Sequence, residues 1–558
     1  MTRDSVWDRV AEGLTAHGVD TVFGLPGDDM TILGALERSG IRVVLVRDQR
    51  HATYQAIGYG RISGRPSVCF VGKGPALTHA ATGLLEARSQ RHPLMLISSG
   101  VPLDRLGTGA FQELDPIEAL GALTVGTIRV DEDTVAGGLA DAFRLSRGRG
   151  RGPVILEVPE GLPSSSAARV RPPQRRRTSS DVPLPDVVRD ARRPIVVVGG
   201  GCSDTGLGDD IVALVDRLGA AVTVTASGRG VIDETHPAFL GVSGLYAPGG
   251  AAAILRSVDV IVALGSRLEE TATFGWDTGL APGCRIVQVL DDESEFTSAW
   301  ATERIVADVA DVVRAWRTAL PTVSADSSWS AAVAAAHVAL RAGDDPAPVT
   351  AHGAIPRVKD VLREVDAAVP TARVSIHENG LQDIWSYIFP HWIVRRDAAC
   401  LVPSEQTPLG FGMAAVRGVA LGDPRPVVVI GGDGAFSSIG PDLAALAEID
   451  SAVLVVVLTN GGFGWLEANR RRAGAPFSFV GSRTVVRGLC AAYALDYEGC
   501  DDAAELAEAV RRAWGRAATG RAVVLDVAVS LDDVAPGFEE LAGDFPLPRP
   551  PATAGEGR

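Results

Sequence analysis

Short apolar runs that break off at polar, glycine-bearing loops recur along the whole chain, with helical patterns between them. In the first third they are DTVFGLPG, IRVVLV, PSVCFVG, PLMLISSG and GPVILEVP. The middle third has RRPIVVVGGG, AAVTVTA, VDVIVALG and RIVQVLDD, and the last third ARVSIHENG, PVVVIGGDG, AVLVVVLTN and AVVLDVAV. A run of Val, Ile and Leu without alternation is a strand buried on both faces, and such strands are parallel, joined by helical crossovers. The expected fold is therefore α/β, with three doubly wound parallel-sheet domains. The expected boundaries are 1–165 for the first domain, 187–345 for the central one and 355–535 for the third. A linker is expected at 166–186, where SSSAARVRPPQRRRTSSDVPLPD loses periodicity. An alanine-rich helix at 329–342 leads to a second linker, GDDPAPVTAHGA, and a Pro/Gly-rich tail is expected to be disordered over 536–558.

A length of 558 residues agrees with about three domains. A formal net charge of −15 argues against nucleic acid as a partner, because phosphate binding needs a basic face. The six cysteines are far apart and form no C-x-x-C pair, and MTRDSVWDRVAEGL is charged rather than apolar. Apolar runs such as AVLVVVL are too short to span a bilayer. A cytoplasmic protein without a membrane partner is expected.

The sharpest local signal is VVVIGGDGAFSSIG followed by AVLVVVLTNGGFGW. Each strand stops at a glycine-rich loop, and ligands in open α/β sheets lie outside such strand ends. Asp433 and Asn460 both fall there, 27 residues apart, enough for one helical crossover. A carboxylate and an amide oxygen suit Mg2+, which takes few protein ligands and completes its shell with phosphate and water. Gly432, Gly434, Gly461 and Gly462 let backbone approach a phosphate.

GDG followed by this spacing and an Asn resembles the signature of thiamine-diphosphate enzymes. FGLPGD, GYGR, GPALTHAATGL, GTGAFQELD and TPLGFGMAAVRGVA match the acetolactate synthase-like branch in order, so the resemblance covers nearly the whole chain. It implies pyrimidine-binding, central and diphosphate-binding domains, with thiamine diphosphate and Mg2+ as cofactors. The implied Mg2+ ligands are Asp433, Asn460 and the Gly462 carbonyl. Gly380, Leu381 and Gln382 match the diphosphate-contacting turn, with Gly432, Gly434 and Ala435 beside them. The backbone of Thr407 and Leu409 would hold the aminopyrimidine, with Leu409 either propping the bent cofactor or packing in the core. Some relatives hold FAD or a nucleotide in the central domain, and LGSRLEETAT gives no strong sign of either.

The family relies on a glutamate that shares a proton with the aminopyrimidine. The ungapped register on GYGR places Gln49 there; a shifted register would bring His51 and Ala52 into play, and neither supplies a carboxylate. An amide makes the hydrogen bond but does not titrate. Either activation of the cofactor is slower, or Asp48 supplies the proton, or the chain is inactive.

On the substrate side, Lys73 replaces the usual residue before GPALTHAAT and is either an anion partner or a solvated lysine. Asp28 falls where decarboxylase-type relatives have a proton-relay acid, or else caps the helix MTILGALE. Phe111 and Gln112 match residues that shape the acceptor pocket from a partner subunit. Trp465 would face the same pocket or pack in the core, and His79 and His92 are acid–base or structural.

The resemblance implies a carboligase that decarboxylates a small 2-oxo acid and transfers the resulting acyl-anion equivalent to an acceptor carbonyl. Alternatives are a non-oxidative decarboxylase releasing an aldehyde and a non-catalytic cofactor-binding relative. It also implies a homo-oligomer, dimer or tetramer, with active sites between subunits.

Overall fold

The computed structural model describes residues 5–148, 150–163, 182–203, 205–320, 327–343, 350–480, 485–536 and 538. Most of the expected linker at 166–186 and nearly all of the tail at 536–558 lie outside the described residues.

Three six-stranded sheets form, each wholly parallel. The first comprises β1 (Thr21–Leu25), β2 (Arg42–Leu45), β3 (Ser67–Val71), β4 (Leu94–Gly100), β5 (Gly126–Arg129) and β6 (Pro153–Pro159). The second comprises β7 (Pro194–Val198), β8 (Ala221–Val224), β9 (Phe239–Val242), β10 (Val260–Leu264), β11 (Arg285–Leu290) and β12 (Glu303–Val306). The third comprises β13 (Val374–His377), β14 (Ala399–Leu401), β15 (Val427–Gly432), β16 (Val453–Thr459), β17 (Asp496–Cys500) and β18 (Ala522–Ala528).

The strand orders carry the functional information. The first sheet runs β2-β1-β3-β4-β6-β5 and the third β14-β13-β15-β16-β18-β17, the same path traced twice. The second runs β12-β11-β10-β7-β8-β9, the order of dinucleotide-binding folds. At its reversal point, however, the loops after β7 and β10 bond to each other. Gly201 N donates to Gly265 O at 2.9 Å, and a Cβ on Gly199 would lie 2.4 Å from the same oxygen.

The apolar runs are central strands, as expected: Val453 through Leu458 of β16 are fully buried. Each such side chain contributes about 1.5–3 kcal/mol relative to an exposed one. The alanine-rich helix begins two residues early, at Ser327, and ends at Ala342 as expected.

The chain divides into two compact units. Unit 1 takes residues 1–177 with 406–424 and 439–449, so later segments of the chain join the first sheet's unit. Its core is built by β1, β3, β4, β6 and the helices Val6–Ala16 and Val135–Arg147. The helix Gln49–Ser63 lies against Phe411–Gly422, and a Cβ on Gly418 would meet Gln55 O at 1.9 Å, so backbone touches backbone there. Unit 2 holds the second and third sheets. Inside it a buried Arg229–Glu234 pair ties the segment after β13, with Arg229 Nη2 donating to Trp392 O at 2.6 Å and Val394 N donating to Glu234 Oε2 at 2.8 Å. Among the described residues no helix is long and apolar enough to cross a membrane, and none of the six cysteines is in a disulfide.

Candidate active site

In the third sheet the strand order reverses between β13 and β15. The chain leaves β13 into Gly380, Leu381, Gln382 and Asp383, and leaves β15 directly into Asp433. Strand β16 adjoins β15 with Leu458 opposite Gly432, so Asn460 sits two residues beyond that pairing. Three loops therefore converge at one end of the sheet.

Their side chains are linked. Asn460 Nδ2 donates to Gln382 Oε1 at 2.6 Å, and Gln382 Nε2 donates to Leu531 O at 3.0 Å. Asn460 Oδ1 accepts from Gly462 N at 2.8 Å. Asp433 is buried and accepts from Gly434 N at 3.1 Å. Burial pushes its pKa up to about 6, against the pull of backbone N–H groups. Asp383 is also buried, accepts from Gly380 N at 3.0 Å, and has a second oxygen, Oδ1, with no hydrogen-bond partner. Burial pushes it up to about 7, and the neighbouring Asp433 acts in the same direction.

Two buried carboxylates, Asp433 and Asp383, and the Asn460 amide thus lie on these loops, side chains whose oxygens are of the kind a hard divalent cation takes. Among the described residues no three His, Cys, Asp or Glu side chains could hold a metal by themselves, so amide and carbonyl oxygens would have to share in it. A Cβ built on Gly432 would meet Asp383 Oδ1 and Leu458 O at 3.9 Å, ordinary contact distance. Ala435 and Leu381 have buried side chains, which leaves them only backbone to offer. Trp465 packs against the buried cluster of unit 2, its ring 6.3 Å from that of Phe538.

In unit 1 the first sheet reverses between β1 and β3, and the loops there carry Asp28 and Lys73. The solvated reading of Lys73 is corrected. The side chain is only 10% exposed, and Nζ contacts both oxygens of Glu160 at 2.6 Å, with Asp28 Oδ2 at 3.9 Å. It is neither solvated nor unpartnered, because Glu160 follows β6 and reaches the same edge. The capping reading of Asp28 is also corrected. Thr31 N bonds Asp29 Oδ1 at 3.0 Å, while Asp28 is 76% exposed.

Lys73 and Glu160 should act as one unit. Lys73→Met and Glu160→Gln are each expected to lower thermal stability, and the double variant to be no worse than the poorer single one. Denaturation midpoints in a double-mutant cycle measure this, and additive losses would show the contact is not energetically real.

Gln49 opens the helix Gln49–Ser63, and its Oε1 lies 3.2 Å from His79 Nδ1 on the helix Pro75–Ser89. Asp48 caps that first helix through Arg50 N at 2.9 Å and pairs with the Arg50 guanidinium at 3.0 Å. His51 is buried, its Nδ1 2.5 Å from Asp442 Oδ2. His92 is buried beside Ser67 at 2.7 Å. His51→Ala leaves Asp442 Oδ2 without this partner and is expected to cost about 2–3 kcal/mol in chemical denaturation; a loss under about 0.5 kcal/mol would contradict the contact.

Leu409 is 50% exposed, which corrects the core-packing alternative. Thr407, at φ 41°, bends the chain just ahead of the helix Phe411–Gly422. Phe111 is 75% exposed, and Gln112, at φ 58°, has its carbonyl against Gly74.

Sequence reasoning missed Asp383, Glu160 and Glu467. Asp383 sits in ENGLQDIW one residue after the expected turn, and its place beside the strand reversal was the available signal. Glu467, in LEANRRR, reads as a helix-surface charge yet is buried, accepting from Arg470, Arg471 and Phe479 N.

Three family models match along the chain: "Thiamine pyrophosphate enzyme, N-terminal TPP binding domain" over residues 5–119, its "central domain" over 184–316 and its "C-terminal TPP binding domain" over 384–527. The chain belongs to the thiamine pyrophosphate-dependent enzymes. It is 30% identical over 473 residues to a probable 2-ketoarginine decarboxylase of Pseudomonas aeruginosa, covering 81% of each chain. It is 25% identical over 479 residues to a probable acetolactate synthase large subunit of Methanocaldococcus jannaschii, covering 82% of this chain and 80% of the relative. It is 26% identical over 473 residues to the acetolactate synthase isozyme 1 large subunit of Escherichia coli, covering 81% of each. Within the family its place is the acetolactate synthase-like branch.

Proposed function

We propose that the chain is a thiamine diphosphate- and Mg2+-dependent carboligase that decarboxylates a 2-oxo acid and joins the remaining acyl unit to an acceptor carbonyl. The observation that carries it is the pair of buried carboxylates converging with Asn460 at the reversal point of the third sheet. The Asp433 carboxylate, Asn460 Oδ1 and the Gly462 carbonyl would hold Mg2+. The backbone of Gly380, Leu381, Gly432, Gly434 and Ala435, with Gln382, would face the diphosphate. Thr407 and Leu409 would present backbone to the aminopyrimidine, and the exposed Leu409 side chain is free to bear on the cofactor's bend. When bound, thiamine diphosphate supplies the electron sink that lets a 2-oxo acid lose carbon dioxide.

Gln49 holds a hydrogen bond where an acid would move a proton. With Oε1 turned to His79 Nδ1, its NH2 group is left as the donor. Lys73 arrives already neutralised by Glu160, so it sets local polarity rather than seizing a substrate anion. Phe111 and Gln112, exposed on unit 1, would shape the acceptor pocket of a second subunit. Unit 1 exposes Met30, Phe111 and Ile117, and unit 2 exposes Phe477 and Val485, the apolar surface a homo-oligomer would cover. Light scattering should give a dimer or tetramer, and a monomer would sink that part. Six cysteines outside any disulfide fit a cytoplasmic location.

A second reading, release of an aldehyde, has its own observation. Asp28 puts an exposed carboxyl at the reversal point of the first sheet, where it could deliver a proton; the relative named as a 2-ketoarginine decarboxylase supports it. The test is incubation with Mg2+, thiamine diphosphate and a panel of 2-oxo acids that includes 2-ketoarginine, with and without an aldehyde acceptor. A carbon–carbon coupled product supports the first reading and aldehyde alone the second. Tight cofactor binding without carbon dioxide would make the chain a non-catalytic relative.

A further inference from the structure

The Asn460–Gly462 loop has a second support on its far side. Gly462 forms an antiparallel bridge with Val480, and Phe463 N donates to Phe479 O at 3.3 Å. A Cβ on Gly462 would lie 2.5 Å from Phe479 O, so the strap of chain that carries Phe479 presses directly on the loop. Glu467 is the side chain that bonds the strap's backbone at Phe479 N. Glu467 lies on the helix Gly464–Ala473, and its own N–H donates to Phe463 O at 2.9 Å. Its Oε2 accepts from Phe479 N at 3.1 Å and from Arg470 Nε at 2.9 Å. Its Oε1 accepts from Arg470 Nη2 at 2.7 Å and Arg471 Nε at 3.0 Å.

Both arginines carry the tie onward. Arg470 Nη1 donates to Ala475 O at 2.9 Å, at the start of the strap, and Arg471 Nη1 to Asp532 Oδ1 at 2.6 Å. The carboxylate is thus the hub from which the loop, the strap and the Asp532 segment are all reached. A buried carboxylate with three charge-assisted donors is costly to replace, because each donor loses its partner at once.

We propose that Glu467 is a positioning residue for the metal and diphosphate loop: it latches the Ala475–Val480 strap against Gly462 and so fixes where the Gly462 carbonyl and Asn460 point. The inference rests on the proposed function, which makes that loop a ligand-holding one, and deepens it. Groups that orient a metal's ligands commonly cost about 10–100-fold in affinity when removed. Glu467 acts through two backbone contacts and does not itself reach the ligand set.

The test uses the full-length protein with Mg2+ and thiamine diphosphate as probes, comparing wild type, Glu467→Gln and Glu467→Ala. Hydrogen exchange on the cofactor-free protein reads the latch. The Phe479 amide, and with it the 475–480 strap, should lose protection in Glu467→Ala and keep part of it in Glu467→Gln, whose amide oxygen still accepts. Mg2+ titration at fixed thiamine diphosphate, followed by tryptophan fluorescence, reads the consequence. The apparent Kd for Mg2+ should rise about 10–100-fold in Glu467→Ala and less in Glu467→Gln, with full occupancy restored at high Mg2+. A merely structural loss would lower the denaturation midpoint without this graded, Mg2+-rescued shift, and would overturn the proposal. Unchanged Mg2+ affinity in a strap that has lost protection would overturn it too. Wild-type protein that takes up no thiamine diphosphate at saturating Mg2+ would instead remove the functional reading, and this inference with it.

Discussion

Asp433→Asn is expected to weaken Mg2+-dependent uptake of thiamine diphosphate by at least about 100-fold, since even indirect supports of a metal cost about 10–100-fold. The same change should stabilise the cofactor-free protein. Asp433 is buried, its hydrogen bonds come from backbone N–H groups rather than a cation, and burial lifts its pKa to about 6. The ordinary aspartate value is about 3.9, so between roughly pH 4 and 6 the folded chain binds more protons than the unfolded one. Stability of the cofactor-free protein from this group therefore falls as pH rises through that window and is flat above it. At pH 8 the asparagine variant should gain on the order of 2 kcal/mol. Asp383, pushed up to about 7, extends the same slope towards neutrality. A cation demands the ionised forms, so cofactor uptake should strengthen over the range in which the empty protein weakens. Calorimetric melting and binding titrations at pH 5, 6, 7 and 8 measure both slopes. Wild-type affinity in Asp433→Asn would end the assignment.

The second large effect concerns Gln49. Gln49→Glu should speed exchange of the cofactor's acidic ring proton by about 10²–10⁴-fold, the usual worth of a general acid–base group. Gln49→Ala should change it less than about 10-fold, because an amide contributes no titration to lose. The new carboxylate would face His79, whose Nδ1 is 3.2 Å from the present amide oxygen. Asp48 is a weak rival for the role, since its carboxylate is taken by Arg50. Quenched-flow deuterium exchange read by NMR decides the matter. An unaccelerated Glu variant would show that residue 49 does not meet the aminopyrimidine.

What the sequence disclosed follows from range. A strand such as β16 announces itself because Val453 through Leu458 are all buried and apolar, and Asp433 and Asn460 announce themselves because each closely follows such a run. The pairing of Lys73 with Glu160 spans 87 residues and leaves no local trace. Glu467 has the spacing of an ordinary helix-surface ion pair, i to i+3 and i+4, and only burial against Phe479 makes it a hub. Leu409 could be read either as propping a bent cofactor or as core; it is 50% exposed, two residues after a positive-φ turn at Thr407. That Asp29 rather than Asp28 bonds Thr31 N is a one-residue choice between identical side chains.

Unit 1 is assembled from residues 1–177, 406–424 and 439–449. On the ribosome its first part therefore emerges long before the helix that must lie against Gln49–Ser63. At roughly 5–20 residues per second the wait is some tens of seconds. Throughout it the groove formed by Gly58 and Gln55 has no native cover, since Ala415 and Gly418 are still untranslated. A nascent chain arrested before residue 406 should therefore be sticky and chaperone-bound, and a gene fragment encoding the first sheet alone a poor candidate for soluble expression.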